Sequence, residues 1–372
     1  PGESYIDRER KIAYFYPTHP IDGTEDIELS TFEGTMINMS GAKYITFDGI
    51  NFRNSRSTFI NASNVDHITI NDSVMAHGGR NAATLGGYNI TVNASHIYDT
   101  GYGGVNLSGG DRNKLVSSNN VISNCILSDN ARTKTSYSPA VSMGGVGVKV
   151  SGNIIYNNQH EAIAFSGNDH VMEYNEIYNT VKEHGDMGAI YWGRDPSVLG
   201  IVIRNNYFHD NGNLYNGGWN QSIFGDDGNF GADIYNNVFY RATLTEDRGG
   251  HTSSYPIKTN GGQYYNVHNN IFVDNPCSTY FQSWVGSSTV MDFKSPMQGQ
   301  YITYNYDCKP NESNGSWSFN VNGSQWNKIK NFCDNDAWKA HYKDTMWEPF
   351  FDNFSAEKAE KMFAFANAKD FK

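Results

Sequence analysis

The sequence predicts an all-β fold, a right-handed parallel β-helix in which short strands stack as a solenoid. Three observations carry that expectation. A motif of Asn or a small polar residue, any residue, then Ile, Val or Phe returns along the chain, beginning at Asp48, Asp72, Ser95, Asn120, Asn153, Asn175, Asn206, Asn237 and Asn270. Apolar alternation of period two precedes each motif, and the i, i+3, i+4 spacing of helical repeats is missing. The base spacing of about 22–25 residues is one coil, with roughly ten inserted residues in four coils.

A coil of this length makes three short strands and buries nothing alone; its apolar residues are covered only when neighbours stack ~4.8 Å above and below. Asn suits the corners because its amide ladders from coil to coil and its backbone tolerates the left-handed conformation. Another strand precedes each motif, in GVNLSGG (104–110), AVSMGG (140–145), AIAFSGND (162–169), AIYWGRD (189–195), SIFGDDGN (222–229) and PIKTNGG (256–262). Alternation turns Val105, Val141, Ile163, Ile190, Ile223 and Ile257 inward and Asn106, Ser142, Ala164, Tyr191, Phe224 and Lys258 outward. Two residues on, Ser108, Gly144, Ser166, Gly193, Asp226 and Asn260 also face out, so the later coils share one polar and aromatic wall.

Either side of this repeat the pattern changes. Residues 1–30 form an entry segment in which GESYIDRERKIAYFYP alternates around a turn at Arg8–Lys11, the mark of a β-hairpin. Residues 31–290 hold the coils, and 291–372 form a C-terminal extension and cap, with SAEKAEKMFAFANA (355–368) carrying helical spacing behind a Ser cap.

Composition narrows the partners. Thirty-nine acidic against 28 basic residues give a net charge of −11, which excludes nucleic acid because no basic stripe is present to release counterions. No apolar run is long enough to span a membrane, and the chain is expected to act as a monomer. Cys125, Cys277, Cys308 and Cys333 lack CxxC spacing, so a zinc or redox motif is not indicated; Cys308 and Cys333 are close enough in sequence to pair or to stay reduced. No signal peptide is visible, and the abrupt start at PGESYIDRER reads as a trimmed segment.

Several stretches carry a resemblance: Pro139-Ala140, GNDHVMEYNEIYN (167–179), HGDMGAIYWGRD (184–195), IVIRNNYFHD (201–210) and GDDGNFGADIYNNVFY (225–240), together with the opening hairpin and the WKAHYKDTMWEPFF tail. The chain resembles bacterial right-handed β-helix proteins that include glycoside hydrolase family 141. The resemblance implies a secreted enzyme, extracellular or periplasmic, acting on plant cell-wall glycans with fucosidase- or xylanase-like activity. It also implies two catalytic aspartates, Asp186 in GDMGAIY and Asp227, or its neighbour Asp226, in GDDGN.

Two carboxyl groups ~5–9.5 Å apart suffice to cleave a glycosidic bond, one protonating the leaving oxygen and one acting as nucleophile or base. Asp186 enters the strand of Ile190, and Asp226 and Asp227 leave the strand of Ile223 one coil on, so carboxylates from adjacent coils are expected to approach. The flanking glycines admit a sugar close to the backbone, although Asp and Gly are also ordinary turn residues. Around the pair, His160, Glu161, His170, Glu173 and His184 cluster in sequence. His160 and His170 are candidates to bind hydroxyls or orient a carboxylate, against packing in a turn. Ser166, Tyr191 and Asn260 point into the cleft, and Trp219 in the inserted loop offers a ring for sugar stacking. Arg194 and Lys258 either bind an anionic substituent or neutralise the aspartates. This chemistry requires no cofactor, and calcium is the one ion that an aspartate-lined wall admits. Two rivals share the fold: a polysaccharide lyase or uronate epimerase, with a basic side chain abstracting a proton, and a non-catalytic glycan-binding adhesin.

Overall fold

The computed structural model describes residues 2–24, 27–212, 219–226, 229–244, 254–260, 264–275, 279–282, 301–303, 311–312 and 331–353. The chain divides into two compact units, Pro1–Thr31 and Phe32–Lys372. In the first, Ser4–Asp7 pairs antiparallel with Ile12–Phe15, the hairpin that alternation predicts. Asp7 closes the turn by accepting the amides of Glu9 and Arg10 at 3.0 and 2.9 Å.

The second unit is a parallel β-helix, wound in the right-handed sense that parallel crossover connections adopt. Each coil gives one strand to each of three columns. The first column includes Val105–Gly109, Val141–Gly145, Ile163–Phe165, Met187–Gly193, Asn220–Asp226 and Tyr255–Asn260. A second runs through Val121–Ser123, Lys149–Ser151, Val171–Glu173, Ile201–Arg204, Ala232–Tyr235 and Asn266–His268. The third is a nine-stranded sheet from Asn51–Arg53 to Ile271–Val273.

Register in the first column is the predicted one. Val105, Val141, Ile163, Ile190, Ile223 and Ile257 follow one another in unbroken pairing, and all are buried. Each such side chain contributes about 1.5–3 kcal/mol by leaving water. The outward set pairs in the same way, Asn106 to Ser142, Ala164, Tyr191, Phe224 and Lys258. In the third column Phe208, Phe239 and Phe272 stack ring on ring at 4.9 Å.

Between the second and third columns runs the polar ladder. Asn153, Asn175, Asn206, Asn237 and Asn270 are buried, and each side-chain oxygen accepts from the backbone and the amide of the Asn one coil earlier, except at Asn153, where the donor is Cys125. The ladder continues upward through Cys125, Ser95 and Ser73, which corrects the sequence alignment. Asn120 belongs to the preceding corner, where its side chain accepts from Ile90 and donates to Gly87 and Ser108. At the end of the first-column strands, Gly87, Gly109, Gly145 and Gly167 form a column of their own. A Cβ at any of them would meet the carbonyl of the previous coil at 2.0, 1.8, 1.8 and 2.1 Å, so no side chain fits there.

The solenoid reaches past the fading of the motif. Tyr301–Thr303 and Asn311–Glu312 still pair in parallel with earlier coils, beyond the boundary expected at residue 290. Downstream, Asn335 caps the helix Asp336–His341 by accepting the amides of Ala337 and Trp338. Trp338, Tyr342 and Phe350 pack on Leu115, Val146, Leu199, Phe230 and Tyr264, and Trp338 Nε1 donates to the Arg112 carbonyl at 2.7 Å. This segment therefore braces the flank of several coils. The helix expected at 355–368 lies outside the described residues, as do Cys277 and Cys308. No helix among the described residues is long and apolar enough to cross a membrane.

Candidate active site

The outer wall of the first column gathers most of the predicted site. Tyr191 and Phe224 are register partners, with rings 5.8 Å apart at a steep angle. The Tyr191 hydroxyl donates to Asp226 Oδ2 at 3.1 Å. Burial first, and then the Asp226 carboxylate, push that hydroxyl well above its ordinary pKa. Lys258, next in the outward row, is only 4% exposed. Its ammonium lies 4.8 Å from the Trp219 ring centre and 5.2 Å from that of Phe224, distances at which a cation is attracted to a ring face. Burial lowers the Lys258 pKa, and Asp186 followed by Asp226 oppose that shift; both carboxylates thus act on one amine.

Two expectations about this wall need correction. Asp186 and Asp226 do not sit side by side. Met187 pairs with Asn220 while Gly193 pairs with Asp226, so the two residues stand at opposite ends of one strand pair, and the charge of each acts on Lys258. Asp186 is exposed with φ 59°, a left-handed conformation that Asp tolerates. Phe224, read as facing the cleft, does lie on the outer side but is fully buried because Tyr191 and Lys258 from the adjoining coils fold over it. Lys258 is accordingly closed off from solvent and not an open cation on the wall.

Trp219 is 46% exposed and keeps a surface for stacking at the Asp186 end, where its carbonyl accepts the Met187 amide at 3.2 Å. Arg194 is exposed, and its amide donates to the Asp226 carbonyl at 3.1 Å. Ser166 is exposed on the wall one coil before Gly193. Asn260 ends the strand Tyr255–Asn260, where it pairs with Gln282. Asp227 lies outside the described residues. Trp192 points inward as expected, stacked at 5.0 Å on Phe165.

His170 is not a wall residue. It is completely buried; its Nε2 donates to the Ser166 carbonyl at 2.9 Å and its Nδ1 accepts the Val148 amide at 3.1 Å. Both nitrogens are used by the neutral ring, and burial pushes its pKa down to about 4. Because the folded value lies below the ordinary ~6.5, this ring stabilises the fold above pH ~6.5, and the benefit is lost as pH falls through 4. The loss amounts to about 3 kcal/mol. Urea midpoints measured from pH 7 to pH 4 are expected to fall steeply, and His170→Gln to flatten that slope; an unchanged slope contradicts the assignment.

His160 and Glu161 are buried beside the same wall, with Nδ1 and Oε2 2.8 Å apart. His184 packs edge-on against His160 at 5.3 Å and meets Thr135 Oγ1 at 2.9 Å. Tyr137 has a role that the sequence does not suggest: its amide donates to His160 Nδ1 and its ring packs on the imidazole. It arrives on an inserted loop, which carries no repeat signal. Among the described residues no three His, Cys, Asp or Glu side chains gather as metal ligands.

With this geometry in place, comparison with known proteins gives one family. Residues 35–195 match the right-handed β-helix region. No curated protein matches the chain. Among solved structures it is similar to an alginate lyase from Paenibacillus sp. str. FPU-7, at 13% identity and TM-score 0.45, covering 67% of this chain and 92% of that one. It is also similar to a glycoside hydrolase, at 14% identity and TM-score 0.41, covering 67% of this chain and 38% of that one. A third is the GH136 lacto-N-biosidase from Eubacterium ramulus, at 11% identity and TM-score 0.30, covering 67% of this chain and 50% of that one.

Proposed function

We propose that this β-helix is a glycoside hydrolase acting on plant cell-wall polysaccharide, with Asp186 and the Asp226-Asp227 pair supplying the acid and the nucleophile or base. The observation that carries the reading is one outer wall that holds Asp186 at one end of a strand pair and Asp226 at the other, with the buried Lys258 against the exposed ring of Trp219. An aromatic face that binds a sugar and carboxyl groups that reach its glycosidic oxygen are the parts that hydrolysis needs. Lys258 keeps two carboxylates tolerable on one wall, and Tyr191 fixes the orientation of Asp226. The resemblance of GDMGAIY and GDDGN to glycoside hydrolase family 141 supports the same residues.

The depressed Lys258 amine favours a second reading, a lyase, because a lysine brought toward neutrality can act as a base. Incubation with a panel of neutral and uronate polysaccharides separates the two. Hydrolysis yields new reducing ends with saturated products, whereas a lyase yields an unsaturated uronate that absorbs in the ultraviolet. Binding of glycan with no turnover of any substrate in the panel supports the adhesin and contradicts both.

A further inference from the structure

Along the wall from Asp226, a cavity of about 280 Å³ opens between coils, lined by Tyr137, Ser142, Glu161, Ala164, Ser166 and Tyr191 among others. Glu161 is 1% exposed, and its Oε2 has no hydrogen-bond donor. The nearest candidate, His160 Nδ1 at 2.8 Å, is also the acceptor of the Tyr137 amide at 3.1 Å, so Glu161 and that amide compete for one ring nitrogen. A buried carboxylate left in this state is expensive, and a ligand that brings donors relieves it. Tyr191 belongs both to this cavity and, through its hydroxyl, to Asp226, so the cavity continues the candidate active site.

We infer that this cavity is a subsite for one neutral sugar residue, whose hydroxyl groups donate to Glu161, and that it rejects uronates. The chemistry is direct. Sugar hydroxyls are donors that a carboxylate accepts strongly, and a uronate would set a second negative charge against Glu161 in a confined, poorly solvated space. The inference rests on the glycan-active reading for the class of ligand, and it deepens that reading by choosing neutral over acidic chains.

The test reads binding, not turnover. Full-length protein is titrated calorimetrically with neutral xylo-oligosaccharides and with oligogalacturonides at neutral pH. Neutral oligosaccharides are expected to bind at least ~10-fold more tightly. Glu161→Gln should weaken neutral-sugar affinity by roughly 10-fold, the scale of a hydrogen bond to a charged group, and should bring the two ligand classes within a few-fold of each other. Ala164→Phe, on the outward row and outside the core, should fill the cavity and abolish binding, and it carries the test alone should Glu161→Gln fail to fold. Uronates binding as well as neutral sugars, or neutral-sugar affinity unchanged in whichever of these variants folds, overturns the subsite. Neutral sugars bound with this pattern but never cleaved would sink the hydrolase and leave the subsite standing. Cleavage with affinity indifferent to Glu161 and Ala164 would do the reverse.

Discussion

Replacing Asp186 by Asn is expected to lower kcat on the cleaved glycan by at least ~10²-fold, the least that removing a general acid or base costs, with the melting temperature nearly unchanged. The fold should survive because Asp186 is exposed and Asn tolerates the same left-handed backbone. Asp227→Asn, or Asp226→Asn if that residue is the partner, should cost as much. The two aspartates differ in what surrounds them. Asp226 is 8% exposed and accepts from Tyr191, and Asn at that position still offers an oxygen to the hydroxyl. Loss of activity in Asp226→Asn therefore reports the missing charge and not a collapsed wall. A loss under ten-fold in Asp186→Asn together with both neighbours' variants removes the carboxylates from the mechanism.

The largest effect on stability should come from the polar ladder. Asn206→Ala deletes the oxygen that accepts the backbone amide and the side-chain amide of Asn175, both at 3.0 Å, and the amide that donates to the Met172 carbonyl at 3.0 Å. All of these groups are buried away from water, and each orphan costs about 1–3 kcal/mol. A total of roughly 3–5 kcal/mol is therefore expected, read as a lowered urea midpoint. Because a solenoid loses cooperativity when one coil is weakened, the transition should also broaden. An unchanged midpoint would mean that the ladder is decoration on a fold held by its apolar columns alone.

How far the sequence reveals this molecule depends on which signal each feature leaves. The inward column from Val105 to Ile257 is legible because alternation and coil spacing both point to it, and the pairing agrees at every step. The polar ladder is legible at Ser95 and for Asn153 onward, and is misaligned at Asp72 and Asn120, where the structure uses Ser73 and Cys125. Two polar corners in NVISNCILSDN look alike, and the structure uses Cys125 where the motif suggests Asn120. At the site, alternation tells which face a residue takes but not how neighbouring coils cover it. That is why the wall positions of Tyr191 and Lys258 are predictable while the burial of Phe224 and Lys258 is not. Likewise, the sequence places Asp186 at the entry of one strand and Asp226 at the exit of the next, and what it does not give is the register, which sets the whole pair Met187–Gly193 and Asn220–Asp226 between them. For His170 the sequence leaves sugar binding and packing in a turn both open, and the structure decides for packing, with the ring held between the Val148 amide and the Ser166 carbonyl.

The most direct test is a crystal structure of the Asp186→Asn protein with a neutral oligosaccharide bound. The sugar should lie across the outward row, one ring against Trp219 and another in the Glu161 cavity, with its glycosidic oxygen within ~3 Å of the substituted side chain that replaces the Asp186 carboxylate. Oligosaccharide seated on either of the other two columns, with the Tyr191 and Lys258 wall empty, would contradict the account.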